Sequence, residues 1–111
     1  MTDTEPALPL DEVLITLRQH LAQALGHRLA HVVVYGSHAR GQPRPGSDID
    51  VLIVVHGAVD HADLMRRTSA IVADLSLRYD VIISRTFASL SQWEDARTLF
   101  LITVRREGVV V

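Results

Sequence analysis

Apolar residues recur along this chain in two rhythms. From Leu10 they fall at Leu10, Val13, Leu14, Leu17, Leu21 and Leu25, three and four apart, the spacing of one buried stripe of a helix. Asp11 and Glu12 stand in its first turn, where negative charge suits the helix dipole, and Gly26 is placed to end it. The rhythm then changes. Residues 31–35, His-Val-Val-Val-Tyr, form a short β-branched run bounded by turn residues, which predicts a strand buried on both faces. Residues 49–55 predict a second strand, apolar without a break after Asp50 and therefore central rather than an edge.

Helical spacing returns over residues 60–79 with Leu64, Met65, Thr68, Ile71, Val72 and Leu75, while Asp63, Arg66, Arg67 and Asp74 form the polar face. Residues 80–84, Asp-Val-Ile-Ile-Ser, predict a third strand with an acid at its first position. Ser91 and Glu94 have the spacing of a capping box. Trp93, Ala96, Leu99, Phe100 and Val104 then predict one last helix, stopped by Gly108. Val109, Val110 and Val111 are too few to stand alone and predict a short strand or a partner contact. The order helix, strand, strand, helix, strand, helix predicts an α/β (α+β) fold, a small mixed sheet covered by helices.

At 111 residues and 48% hydrophobic the chain suits one domain with a real core. Residues 1–9, with Pro6 and Pro9 and little periodicity, read as a flexible N-terminal arm, and residues 10–111 as a single domain. There is no cysteine, which excludes disulfides and thiolate metal sites. The formal net charge of −2 and the scattered basic residues exclude a broad nucleic-acid surface. The acidic start has no signal-peptide pattern, and no apolar run reaches membrane length. A cytoplasmic protein is the expectation.

The chemistry is concentrated between residues 36 and 55. Asp48 and Asp50 are one residue apart at the mouth of a strand. They point to the same face, with Cα atoms roughly 6.5–7 Å apart. Two carboxylates so held repel unless a cation lies between them, and a hard divalent cation, most commonly Mg²⁺, suits carboxylate and phosphate oxygens. Ser47 joins them at the strand mouth. Gly36 lets a phosphate approach the backbone, and Ser37, before one turn of helix, offers N–H groups and a hydroxyl to an anion. Arg40 is placed to neutralise phosphate charge and Arg44 reads as solvated. His38 is the one histidine set near a substrate. Asp80 reaches the same end of the sheet if its strand lies beside residues 49–55. It would then supply a third carboxylate, as a metal ligand or as a base to an attacking hydroxyl. Prolines at 43 and 45 and glycine at 46 make the intervening stretch a spacer.

Other sites are excluded. Gln42 and Pro43 follow Gly41 where a P-loop needs Lys and Ser/Thr, and the Gly-x-Gly of a dinucleotide fingerprint is missing. No pair of histidines sits on one helix with a supporting acid, so zinc has no site.

Gly36-Ser37, ten residues, then Asp48-x-Asp50 resembles the signature of the DNA polymerase β-like nucleotidyltransferase superfamily. The Ala-Arg-Gly at 39–41, the Arg-Arg-Glu-Gly-Val at 105–109 and the short length resemble its minimal nucleotidyltransferase branch, the MNT or MntA-like antitoxins. One departure is His38, where related sequences often carry Arg. The resemblance implies a nucleotidyltransferase fold and Mg²⁺-dependent transfer of a nucleoside monophosphate, AMP from ATP, to a hydroxyl. Asp48 and Asp50 would hold two Mg²⁺ ions, with Asp80 binding one and activating the acceptor. Gly36 and Ser37 would hold the β- and γ-phosphates. It also implies a HEPN-domain toxin as partner and acceptor. Two other functions fit the same fold: a non-catalytic module that covers a toxin surface, and a transferase acting on a small molecule of antibiotic type. Which NTP is used, the number of nucleotides transferred and any oligomer stay open.

Overall fold

The computed structural model describes residues 10–36 and 48–111. Helix α1 spans Leu10–Leu25 and buries Val13, Leu14, Leu17, Leu21 and Leu25, five of the six positions that the spacing predicts. A short 3₁₀ turn, Gly26–Arg28, leads into strand β1, Leu29–Tyr35. Strand β2, Asp48–Val55, runs antiparallel to β1 and begins on the first of the two acids. Helix α2, His61–Tyr79, starts on an Asp60 cap whose side chain accepts from the Asp63 N–H at 3.1 Å. Strand β3, Ile82–Ser89, pairs parallel with β2.

Helices α3, Leu90–Asp95, and α4, Leu99–Glu107, follow, and strand β4, Val109–Val110, pairs antiparallel with β1. The sheet order is β3-β2-β1-β4. The mixed sheet with helices is the α+β architecture that the pattern predicts, with the two apolar strands in the middle. No helix among the described residues is long and apolar enough to cross a membrane.

Strand alternation divides the core in two. Val32, Val34, Ile49, Val51, Ile53, Val55 and Ile83 face α1 and α2, while Val33, Leu52, Val54 and Ala88 meet Leu101 and Val104 of α4. Leu17, Leu21, Ile53 and Leu64 are wholly buried, and each contributes about 1.5–3 kcal/mol of burial. Asp63 anchors the start of α2 by gathering Arg28, Arg66 and Arg67. The hydrogen bond from Arg67, aided by the other two guanidiniums and opposed by burial, holds its carboxyl below the usual range.

Three expectations change. The last helix is broken, because Ala96 adopts φ 46° and closes α3 by donating its N–H to Gln92 O at 2.9 Å. The capping box forms on Ser89 and Gln92, not on Ser91 and Glu94. Ser89 is the last strand residue, and its side chain accepts from the Gln92 N–H at 3.1 Å while the Gln92 side-chain oxygen accepts from the Ser89 N–H at 2.9 Å. Thr98 caps α4 separately. The third strand also begins later than predicted. Asp80 is the left-handed cap of α2, φ 54°, with its N–H on Ser76 O, and β3 starts at Ile82. Asp tolerates that conformation better than most residues, and the helix end needs the donor.

Gly108 is required for a reason other than turn geometry. Its φ is −76°, but a β-carbon there would lie 2.6 Å from Val104 O and 2.7 Å from Val33 Cγ1. The chain doubles back from α4 onto β1 so closely that no side chain fits.

Candidate active site

The acids lie on the face of the sheet shared with α3 and α4. Asp48 and Asp50 continue the alternation of Leu52 and Val54, and Ile49 between them is buried on the opposite side. Asp48 is exposed and Asp50 half-buried. Register places Tyr35 of β1 on one side of Asp50 and Ser84 of β3 on the other, and sets Ile82 beside Asp48. The predicted common orientation of the pair is what the strand produces.

Gly36 ties the other half of the motif to this edge. Its φ of +77° is left-handed, and a β-carbon there would stand 2.7 Å from Asp50 Oδ2. Only glycine lets the backbone leaving β1 touch the carboxylate of β2. Residues 36 and 50 are fourteen apart in sequence, and the antiparallel β1–β2 pair closes that gap.

Tyr35 and Phe100 were read from the sequence only as strand and helix positions, and Thr86 was not named at all. The Tyr35 hydroxyl lies 3.4 Å from Thr86 Oγ1, across β2. Its ring meets Phe100 edge-on, with centroids 5.5 Å apart and planes at 82°. Tyr35 directly precedes Gly36, so this contact steadies the residue from which the glycine turn departs. The period-two pattern of β1 places Tyr35 on the face of Val33, but its pairing with Asp50 needs the register, which no single strand encodes.

The remaining predicted residues divide plainly. Ser37, Arg40 and Ser47, with His38 and the spacer 41–46, lie outside the described residues, as does the arm 1–9. Asp80 is exposed and stands two residues before Ile82, the partner of Asp48. It is therefore at the acidic end of the sheet but in the helix cap rather than on the strand. Among the described residues no three His, Cys, Asp or Glu side chains converge into a metal cluster. The pair Asp48 and Asp50 fits a hard divalent cation that completes its shell with phosphate oxygens and water. A cavity of about 560 Å³, lined by His56, Ser89, Gln92 and Glu94 among others, opens at the opposite end of β2 and β3, away from this chemistry.

A glycine turn pressed on the second acid of an Asp-x-Asp strand is the arrangement expected of nucleotidyl transfer, and comparison with known proteins agrees. The nucleotidyltransferase domain family matches residues 14–106, and the chain belongs to that family. It is a nucleotidyltransferase. A Methanocaldococcus jannaschii protein named as a protein adenylyltransferase is 29% identical over 100 residues, covering 90% of this chain and 96% of the relative. In fold, the chain is similar to a crystal structure of a mutant MntA–HpeT toxin–antitoxin, with TM-score 0.57 and 16% identity over 94% of this chain and 72% of that one. It is also similar to a structure of tri-AMPylated Shewanella oneidensis HEPN toxin in complex with MNT antitoxin, with TM-score 0.54 and 13% identity over 90% and 69%.

Proposed function

We propose that this nucleotidyltransferase moves AMP from ATP to a hydroxyl of a protein partner, in a Mg²⁺-dependent reaction, and acts as the antitoxin of a HEPN/MNT pair. The observation that carries the reading is the contact of Gly36 with Asp50 beside Asp48. It joins a backbone able to receive phosphate to carboxylates able to hold cations. The relative named as a protein adenylyltransferase and the AMPylated toxin beside an MNT antitoxin of this fold support a protein acceptor.

In the reaction, the acceptor oxygen bonds to the α-phosphorus, the bond from that phosphorus to the β-bridging oxygen breaks, and pyrophosphate leaves. The hydroxyl proton passes to a base, for which Asp80 is the nearest candidate by sheet position. Asp48 and Asp50 would hold Mg²⁺, two ions by resemblance, and the bound metal would stabilise the charge gathering on the phosphates. Gly36 orients the nucleotide by letting it approach the main chain.

The test incubates the chain with α-labelled ATP, Mg²⁺ and the product of the adjacent gene. Label on that protein, lost with Asp48→Ala or Asp50→Ala, is the expected result. Toxin neutralisation that survives both substitutions would sink the catalytic reading and leave a covering module. Label on a small molecule instead would reject the protein acceptor.

A further inference from the structure

The acid pair has two flanks, and they are built differently. On the β1 flank Tyr35 is in register with Asp50, and Gly36 follows it directly against the Asp50 carboxylate. The Tyr35 hydroxyl is committed to Thr86, 3.4 Å away. On the β3 flank Ser84 is in register with Asp50. It lies on the acid face, because residues two apart on a strand share a face and Ala88, four further along β3, packs there with Leu101 and Val104. Ser84 is exposed, and its hydroxyl has no hydrogen-bond partner among the described residues. Asp80 stands four residues earlier, in the α2 cap, and β3 itself carries no acid. The side chain that β3 sets beside Asp50 is therefore an uncommitted hydroxyl.

We infer that the Ser84 hydroxyl is an oxygen donor to the divalent cation that Asp50 holds, a neutral group where β3 has no carboxylate to offer. This rests on the reading of Asp48 and Asp50 as cation ligands and adds a member to that set. Neighbouring strands lie about 4.8 Å apart, and a hard cation lies about 2.0–2.6 Å from each of its oxygen ligands. An ion between Asp50 and Ser84 therefore meets both side chains, or meets Ser84 through one of its own waters. The flank is also the right one. In-line displacement brings the entering oxygen in opposite the departing phosphates. With those phosphates at Gly36 on the β1 flank, the acceptor enters over β3, past Ser84. A neutral donor leaves the ion there with more of its charge than a third carboxylate would, and binds it less tightly.

The test measures Mn²⁺ binding by loss of the free ion's paramagnetic resonance signal, with a non-hydrolysable ATP analogue present and against a blank of the analogue alone. The proteins are the unaltered chain, Asp48→Ala, Ser84→Ala, Ser84→Thr, Ser84→Asp and, as a control, Ser91→Ala at the opposite end of the sheet. A thermal melt checks the fold of each. Ser84→Ala should bind Mn²⁺ about three- to tenfold more weakly than the unaltered chain. Ser84→Thr keeps the hydroxyl and should keep the affinity, as should Ser91→Ala. Ser84→Asp should bind at least about tenfold more tightly. Unchanged affinity in Ser84→Ala, with binding lost in Asp48→Ala, would overturn the assignment and leave the cation reading standing. Weakening in Ser84→Thr equal to that in Ser84→Ala would also overturn it, because the hydroxyl would not be what counts. So would a Ser84→Asp chain that binds no more tightly. Mn²⁺ binding that Asp48→Ala leaves unchanged would reject the assignment together with the cation reading.

Discussion

The two faces of the sheet are built from the same strands and treated in opposite ways. On one, Val32, Val34, Ile49, Val51, Ile53, Val55 and Ile83 are sealed under α1 and α2. On the other, Val33, Leu52 and Val54 are sealed under α3 and α4, while Asp48 and Ser84 in the same rows stay exposed and Asp50 is half-covered. One residue of offset along β2 separates the two regimes. The sealed face makes the strands rigid, and the half-open face uses that rigidity to hold like charges side by side. Stability and chemistry should therefore fail separately, and that separation can be tested.

The largest effect falls on the open face. Asp50→Ala should lower nucleotidyl transfer by about a thousandfold or more, with the melting temperature nearly unchanged. Transfer assayed beside a thermal melt checks both halves of that statement. On the sealed face the pattern reverses. Leu17→Ala should cost about 2–5 kcal/mol in urea unfolding, and what remains folded should keep its turnover per molecule.

Gly36→Ala should affect both, because it strains a left-handed residue at about 1–3 kcal/mol and pushes a methyl group onto the Asp50 carboxylate. Nucleotide binding, followed by calorimetry, should be lost before the fold is. If Gly36→Ala binds nucleotide normally, the contact between residues 36 and 50 has no part in the site. Asp80→Ala should be milder than Asp50→Ala, about ten- to a hundredfold in rate, because Asp80 stands in the α2 cap and off the strand. An equal loss would move Asp80 into the metal set itself.

The smallest effect belongs to Asp63, away from both. Its carboxyl is held below the usual range chiefly by Arg67. The folded form therefore binds its proton less readily than the unfolded chain, so its stabilisation is present above the ordinary aspartate range. It fades as pH falls through the lower folded value. Asp63→Asn should flatten the acid limb of a stability-against-pH curve slightly and leave transfer at neutral pH unchanged.

Much of this was legible from residue order. The three-and-four spacing of α1 marked its buried stripe, because one helix face decides those positions locally. The unbroken apolar runs of β1 and β2 marked them as central for the same reason. Asp48 and Asp50 were legible as a pair because strand alternation needs no partner to operate. Ala96 was not legible as a break, since nothing in an alanine announces a left-handed turn; the stop is imposed by two competing caps, Ser89 and Thr98. The position of Asp80 was missed because it can open a strand or close a helix, and the unsatisfied carbonyl of Ser76 decides between them. Tyr35 and Phe100 depend on register and on where α4 lands, which are properties of the assembled sheet.

The return of the chain at Gly108 has a consequence for how the protein is made. Strand β4 pairs with Val33 and Val34, and Val111 donates its N–H to Val32 O at 2.8 Å. The outer edge of β1 is thus closed by residues synthesised more than seventy positions later, on the order of ten seconds at the rate of translation. Throughout that interval a nascent chain that has already paired β1 with β2 carries a valine-rich strand edge open to any other strand. Pairing with β4 is what closes that edge, so anything that shelters β1 before then would act on the nascent chain rather than on the completed fold.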